Sequence, residues 1–168
     1  KHWSRGLGDV YKRQVYGSIG RSRLRPDGIW ARQEVKAKLS NHSDLEWLPQ
    51  ELVLYADALY EQNLSVTLPE DASFLSTEIV RLGRTAAGEQ LNRGRWRSGL
   101  TIQRNGGSKP RWDFVDRLEL DGDRLHSLHS LHGAPVFGTL VWAAPMPLNP
   151  QQRDDLLQNA RAARAGLK

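Results

Sequence analysis

Residues 94–120 read GRWRSGLTIQRNGGSKPRWDFVDRLEL, and this stretch predicts a β-hairpin. Apolar and polar residues alternate on both sides of NGGSK, whose glycines suit a tight turn. The predicted inward faces are Trp96, Ser98, Leu100 and Ile102 on the first strand, and Trp112, Phe114, Leu118 and Leu120 on the second. The C-terminal half of the chain is therefore predicted to be a sheet.

On the N-terminal side of the hairpin, the pattern predicts two strands and a helix. Residues 29–39 alternate as a half-buried strand does, and residues 64–68 form a second short apolar run. Between them, Pro49 suits the first turn of a helix. The apolar stripe of that helix would be Leu52, Val53, Ala56, Leu59 and Tyr60.

Two further helices and one more strand complete the prediction. Asp71 or Ser73 can cap a helix that reaches about residue 92. Residues 135–144 are nearly all apolar, as in a strand covered on both faces. Asn149 then caps a helix that begins with Pro150. Together these elements predict an α+β fold, with a mostly antiparallel sheet and about three helices packed on one side.

The first residues of the chain have a different character from the rest. Residues 4–14, SRGLGDVYKRQ, have no helical or strand periodicity, and they resemble the translation of a sequencing-library adapter. We therefore predict that residues 1–14 are a non-native, adapter-derived segment. Residues 15–168 are predicted to be a single domain, truncated at its N-terminus.

Setting residues 1–14 apart changes the net charge of the predicted domain. The whole chain has 24 basic and 19 acidic residues, a net charge of +5, but the first fourteen residues contribute +3 of that. The remainder is close to neutral, so the bulk charge does not indicate a nucleic-acid partner. The chain has no cysteine, which excludes disulfides and zinc-thiolate sites, and no apolar stretch of membrane-spanning length. We predict no membrane partner and, by default, a cytoplasmic location.

Basic residues are nevertheless clustered locally. The hairpin combines arginines with Trp96 and Trp112, and arginines contact phosphates while aromatic rings can stack on bases. The alternative is that both tryptophans point into the core. The predicted nucleic-acid-binding residues, for DNA or RNA, are Arg21, Arg23, Arg25, Arg93, Arg95, Arg97, Arg104, Lys109 and Arg111.

Three histidines in HSLHSLHG raise the question of a metal site. His126, His129 and His132 are three residues apart. This spacing spreads the rings around a helix and alternates them on a strand, so neither geometry converges on one ion. We predict solvated histidines and no metal bound there.

The stretch YGSIGRSRLRPDGIWARQEVKAKL resembles the rolling-circle replication initiators of plasmids and filamentous phages. In those proteins a basic segment precedes a strand of the form Trp-x-Arg-x-Glu, which here would be Trp30, Arg32 and Glu34. The resemblance implies a replication or mobile-element protein. It assigns no catalytic residue, because the His-apolar-His metal pair of the family is not in the sequence.

A second resemblance is to the nucleotidyltransferase superfamily. Val-Tyr-Gly-Ser at residues 15–18 and Ser-Asp-Leu-Glu-Trp at residues 43–47 follow its Gly-Ser and paired-carboxylate signature. The resemblance implies that Gly17 and Ser18 bind phosphate and that Asp44 and Glu46 hold Mg²⁺ as the cofactor.

The leading hypothesis from the sequence is a nucleic-acid-binding domain of a replication or mobile-element protein. The alternatives are a metal-dependent nucleotidyltransferase-like enzyme and a non-catalytic structural or interaction domain. Whether the protein is an enzyme, and its oligomeric state, stay open at this point.

Overall fold

The computed structural model describes residues 12–14, 28, 30–107 and 109–166. The strands are β1 (Lys12–Gln14), β2 (Ala31–Lys38), β3 (Asp44–Trp47), β4 (Leu52–Leu54), β5 (Leu59–Pro69), β6 (Ser73–Leu82), β7 (Arg95–Asn105), β8 (Arg111–Asp121) and β9 (Val136–Ala143). The helices are α1 (Gly122–Leu125) and α2 (Pro150–Gly166), and Thr85–Ala87 is a single 3-10 turn.

The strands form two sheets, and most of their pairs are parallel. In sheet A, β1 pairs with β3, β3 and β4 pair with β6 in parallel, and β9 pairs with β6 antiparallel. In sheet B, β2, β5 and β7 are parallel, and β8 is antiparallel to β7. Parallel neighbours need a crossover connection. Here that crossover is a strand of the other sheet, since the chain passes repeatedly between the two sheets.

The prediction of an α+β fold with a mostly antiparallel sheet is therefore wrong. In the described part of the chain, the sheets pack on each other rather than on helices. The core lies between them in two clusters, one around Leu54, Val80, Leu82 and Trp96 and the other around Phe74 and its neighbours. Strands β5, β6 and β7 contribute alternate residues to this core, as the period of an extended chain dictates.

The helix predicted from Pro49 onward is wrong. Leu52 and Leu54 are buried and belong to β4, and β5 begins at Leu59. A turn joins these strands, with a hydrogen bond from the Ala58 amide to the Tyr55 carbonyl oxygen. A short strand, a turn and a second strand thus place apolar residues at intervals that imitate a helical stripe.

The helix predicted to reach residue 92 is also wrong. Residues 73–82 form β6, where Phe74, Val80 and Leu82 are buried while Ile79 points outward and is exposed. Buried and less buried residues therefore alternate with a period of two along β6. Because polar residues separate its apolar residues, the same sequence also fits the spacing of a helical face.

The predicted hairpin is confirmed in β7 and β8, but one face of β8 differs. A bulge between Ile102 and Gln103 leaves Phe114 opposite Ile102 and Trp112 opposite Gln103. An extra residue reverses the faces beyond the bulge. Trp112 is therefore exposed, contrary to its predicted inward position, whereas Trp96 lies before the bulge and is buried as predicted for a core tryptophan.

The C-terminal helix begins where the sequence predicts. The Asn149 side chain accepts a hydrogen bond from the Gln152 amide at 2.8 Å, and the Gln152 side chain accepts one from the Asn149 amide at 3.3 Å. This reciprocal cap satisfies amides that the helix leaves unpaired. None of the described residues of α2 is buried, and its two leucines, Leu156 and Leu157, are exposed.

The segment interpreted as adapter-derived falls mostly outside the described residues. Its last three residues form β1, which pairs with Leu45, Glu46 and Trp47 of β3. The interpretation of residues 1–14 as non-native stays a prediction. Among the described residues, neither helix has the length and apolar character required to span a membrane.

Candidate functional site

The two sheets separate along the side formed by β8 and β9. Within the described chain, β8 is the last strand of sheet B, and β9 pairs only with β6. Between these two strands lies a cleft of about 480 Å³. Its walls carry Phe114, Asp116 and Leu118 from β8 and Phe137, Thr139 and Val141 from β9, and Glu78 of β6 reaches it from the inner side. We call this the β8–β9 cleft.

The mouth of the β8–β9 cleft is apolar and open to solvent. Leu140 is 69% exposed and Trp142 is 49% exposed, and both line the cleft. A neighbouring depression of about 290 Å³ continues the surface past Trp142 to Met146, which is 75% exposed. Contiguous exposed apolar surface of this kind marks interaction sites in soluble domains.

Two carboxylates, those of Glu78 and Asp116, line the same cleft. Glu78 accepts a hydrogen bond from the Gln62 side chain. Burial raises the pKa of Glu78, the Gln62 hydrogen bond opposes that rise, and the negative charge of Asp116 adds to it. Among the described residues, neither carboxylate forms an ion pair with a basic side chain. The cleft is therefore apolar at its mouth and acidic inside.

The two edge strands differ in charge. β8 carries six charged residues, namely Arg111, Asp113, Asp116, Arg117, Glu119 and Asp121. The sequence of β9, VFGTLVWA, has none and has no proline. Charges and prolines are the usual protection of an edge strand against pairing with another chain. Among the described strands, β9 thus offers an unprotected edge.

The basic residues predicted to bind nucleic acid are mostly paired with carboxylates. Arg93 makes two hydrogen bonds of 3.0 Å to Asp57. Arg95 and Arg97 both lie near Glu119, with nitrogen–oxygen distances of 3.6 and 3.2 Å. The acidic strand next to the arginines therefore neutralises the cluster that the sequence presents as basic.

Arg104 has a structural role. Its side chain is buried and donates hydrogen bonds to the carbonyl oxygens of Pro69, Glu70, Ala72 and Ala144 and to Asp113. The bulge supplies Asp113, which also accepts a 2.9 Å hydrogen bond from Arg111. Although burial opposes the effect, the hydrogen bonds from both arginines lower the pKa of Asp113. Arg104 cannot contact an external phosphate.

The other predicted basic and metal residues are not brought together. Arg21, Arg23 and Arg25 lie outside the described residues, and Lys109 is exposed near the hairpin turn. His126, His129 and His132 are exposed in the turns that follow α1. No group of three metal-ligating side chains was found in the part of the chain that the structure describes.

The residues of the two family resemblances are placed as follows. Trp30 stacks under Arg97 at 4.4 Å, Arg32 pairs with Glu61 at 3.2 Å, and Glu34 pairs with Lys36 at 2.8 Å. Asp44 and Glu46 both lie on β3, and Asp44 accepts a hydrogen bond from Ser73. The proposed phosphate ligands Gly17 and Ser18 lie outside the described residues.

The sequence prediction missed the residues of the β8–β9 cleft. The signal available was the absence of charge in residues 135–144, which was interpreted as a strand covered on both faces. The strand exists, but its position at the edge of a sheet follows from the pairing of β6 with β9, which no local pattern reports.

A family model and individual relatives all point to the same protein family. The model of the family described as UreD urease accessory protein matches residues 12–167. The urease accessory protein UreD of Parasynechococcus marenigrum (strain WH8102) is 66% identical over 159 residues, which is 95% of this chain and 51% of that protein.

Two further relatives give the same result. UreD of Synechococcus sp. (strain CC9605) is 64% identical over 165 residues, 98% of this chain and 53% of that protein. UreD of Prochlorococcus marinus (strain MIT 9303) is 52% identical over 166 residues, 98% of this chain and 56% of that protein. The chain spans about half the length of the curated relatives it matches.

These matches overturn the leading hypothesis of a nucleic-acid-binding replication protein and the alternative of a nucleotidyltransferase-like enzyme. They contradict the resemblances to rolling-circle initiators and to nucleotidyltransferases, and with the latter falls the Mg²⁺ assigned to Asp44 and Glu46. They also contradict DNA or RNA as the partner, in agreement with the carboxylate pairing of the hairpin arginines.

Proposed function

Since the chain belongs to the UreD family of urease accessory proteins, we propose that it acts in urease maturation by binding other proteins of the urease system. The observation that carries this proposal is the β8–β9 cleft, with its exposed apolar mouth and uncharged edge strand. Such a surface suits contact with a protein, because apolar area gains free energy when another protein removes it from water.

Urease maturation is a function of the whole protein, and this chain spans about half the length of its relatives. We therefore place the test in a full-length background. In the chimera, this chain replaces the matching 159 residues of the Parasynechococcus relative. The chimera is expressed in a strain of that organism that lacks its own UreD.

The measurements are urease activity and co-purification of urease-system proteins with the tagged chimera. We expect the chimera to restore activity and to co-purify with at least one of these proteins. A chimera that is expressed and folded, yet restores no activity and captures no urease-system protein, would contradict the proposal. The cytoplasmic location predicted from the sequence remains a proposal, which fractionation of the same cells would test.

A further inference from the structure

We propose that the β8–β9 cleft binds an extended segment of a urease-system protein, which pairs with the free edge of β9 and places a lysine or arginine between Asp116 and Glu78. The inference rests on the proposed function, because it takes its partner from the same set of proteins. It specifies the form of that partner: a strand of about eight residues, the length of β9.

The first argument is the unprotected edge. A strand at the edge of a sheet presents unpaired amides and carbonyl oxygens, and an extended peptide can satisfy them by adding a strand. β8 carries a charged residue at about every second position, whereas β9 carries none. Strand addition is therefore favoured at β9.

The second argument is the pattern of side chains that face the cleft. Along β8, the residues that line the cleft are Phe114, Asp116 and Leu118, an apolar–acidic–apolar order. Successive side chains of an added strand alternate between the two faces, so every second residue would face this row. The complementary order on the guest is apolar–basic–apolar.

The third argument is the charge balance inside the cleft. Glu78 and Asp116 are close enough that the charge of Asp116 raises the pKa of Glu78. Two neighbouring carboxylates in a partly buried site repel each other, and a cation between them removes that repulsion. Because the mouth is formed by Leu140 and Trp142, the cation has to reach the cleft on an otherwise apolar segment.

The experiment uses the full-length chimera and overlapping 15-residue peptides. The peptides cover the sequences of the urease subunits and accessory proteins of the Parasynechococcus organism. Each peptide is about twice as long as β9, so that it can pair with β9 in any register. Dissociation constants are measured by fluorescence anisotropy. We expect bound peptides to share a basic residue flanked by alternating apolar residues. Replacement of that basic residue by alanine should weaken binding about tenfold, in the range of an interface anchor.

Two pairs of variants locate the site. Leu140→Lys adds a charge beside the β9 edge and should weaken peptide binding about tenfold, whereas Leu128→Lys, at an exposed loop leucine, should change it less than about twofold. Asp116→Asn should weaken only peptides that retain the basic residue, and Asp123→Asn on α1 is its control.

Several outcomes would overturn the inference. One is that intact urease-system proteins co-purify with the chimera but none of the peptides binds to it. A second is that peptides bind but Leu140→Lys does not weaken their binding. In both cases the proposed function would survive. Another is protection from hydrogen exchange, in the chimera alone, of those β9 amides that do not bond to β6, which would show that its own chain covers the edge. Self-association abolished by Leu140→Lys would assign the edge to a second copy. If no urease-system protein binds at all, the proposed function fails and the inference fails with it.

Discussion

Arg104 holds together segments that are distant in the sequence. The residue is 1% exposed, and its guanidinium donates to carbonyl oxygens of the β5–β6 turn and of the segment after β9 and pairs with Asp113 at 2.6 Å. A buried charge of this kind is tolerated only when its hydrogen bonds are complete. The same completeness makes its removal costly.

We predict that Arg104→Met lowers the free energy of unfolding by about 3 kcal/mol or more, because Asp113 and several buried carbonyl oxygens lose their donor. Urea denaturation measures the loss. Arg111→Met is the matched control, since Arg111 pairs with the same Asp113 but is exposed; its cost should stay below about 1 kcal/mol. Equal losses in the two variants would show that burial is not what gives Arg104 its role.

Glu78 gives a prediction about pH. Burial raises its pKa in the folded chain above the ordinary glutamate value of 4.5. The folded state therefore holds this proton more tightly than the unfolded state. The resulting stability is fully present below about pH 4.5, the unfolded value, and is lost as the pH rises through the folded pKa.

Glu78→Gln should accordingly unfold at a higher temperature than the parent chain at pH 7, and the difference should shrink as the pH falls toward 5. Thermal unfolding of both chains across this range measures it. Glu46→Gln, on β3, serves as the control for the loss of a glutamate carboxylate elsewhere in the same sheet. If the Glu78→Gln chain were less stable than the parent at pH 7, the negative charge of Glu78 would not destabilise the folded state, and the prediction would be wrong.

At the scale of elements, the helix α2 is attached to the sheets but not packed on them. None of its described residues is buried, and its start is held by Asn149. Asn149→Ala should therefore weaken the helix by about 1 kcal/mol through loss of the cap. The global unfolding temperature should stay unchanged.

Amide exchange across residues 151–153 and the thermal transition measured in the same samples test this prediction. Ser130→Ala, in the turns after α1, controls for the loss of a small polar side chain. A drop of the global transition together with faster exchange in α2 would mean that the helix supports the sheets.

The sequence predicts the elements that local patterns determine. The strand at residues 29–39, the β7–β8 hairpin and the Asn149 cap were all found, because alternation, glycine turns and capping residues are local signals. The helix predicted from Pro49 is wrong, because a short strand, a turn and a second strand imitate a helical stripe. The helix predicted from Asp71 or Ser73 is wrong because residues 73–82 form one strand whose apolar residues also fit a helical spacing.

What local patterns do not report is which strands become neighbours. The parallel pairs β2–β5 and β5–β7 join residues 29 and 36 positions apart, so only the assembled structure reveals them. The bulge that turns Trp112 outward and Asp113 toward Arg104 is equally hidden. The β8–β9 cleft could not be predicted for the same reason, although the uncharged sequence of β9 was visible.

At the scale of the whole molecule, the opening residues give a direct prediction. If residues 1–14 are adapter-derived, a chain that lacks them should unfold within about 2 °C of the complete chain, less than a 1 kcal/mol change would cause. Calorimetry of the two chains measures the difference. A shift clearly larger than this would show that β1 and the residues before it contribute to the natural fold.

The sandwich as a whole presents two different sides. The side of β1 and β2 ends in parallel strands, with charged residues along β2. The side of β8 and β9 ends in antiparallel strands around an apolar and acidic cleft. We therefore propose the β8–β9 side as the surface that contacts urease-system proteins.

Hydrogen exchange of the chimera, alone and bound to the urease-system protein that co-purifies with it, tests this assignment most directly. We predict that amides of residues 136–143 in β9 gain protection in the complex, while those of residues 31–38 in β2 do not. Protection confined to β2 or to α2, with β9 exchanging equally fast in both samples, would contradict the account.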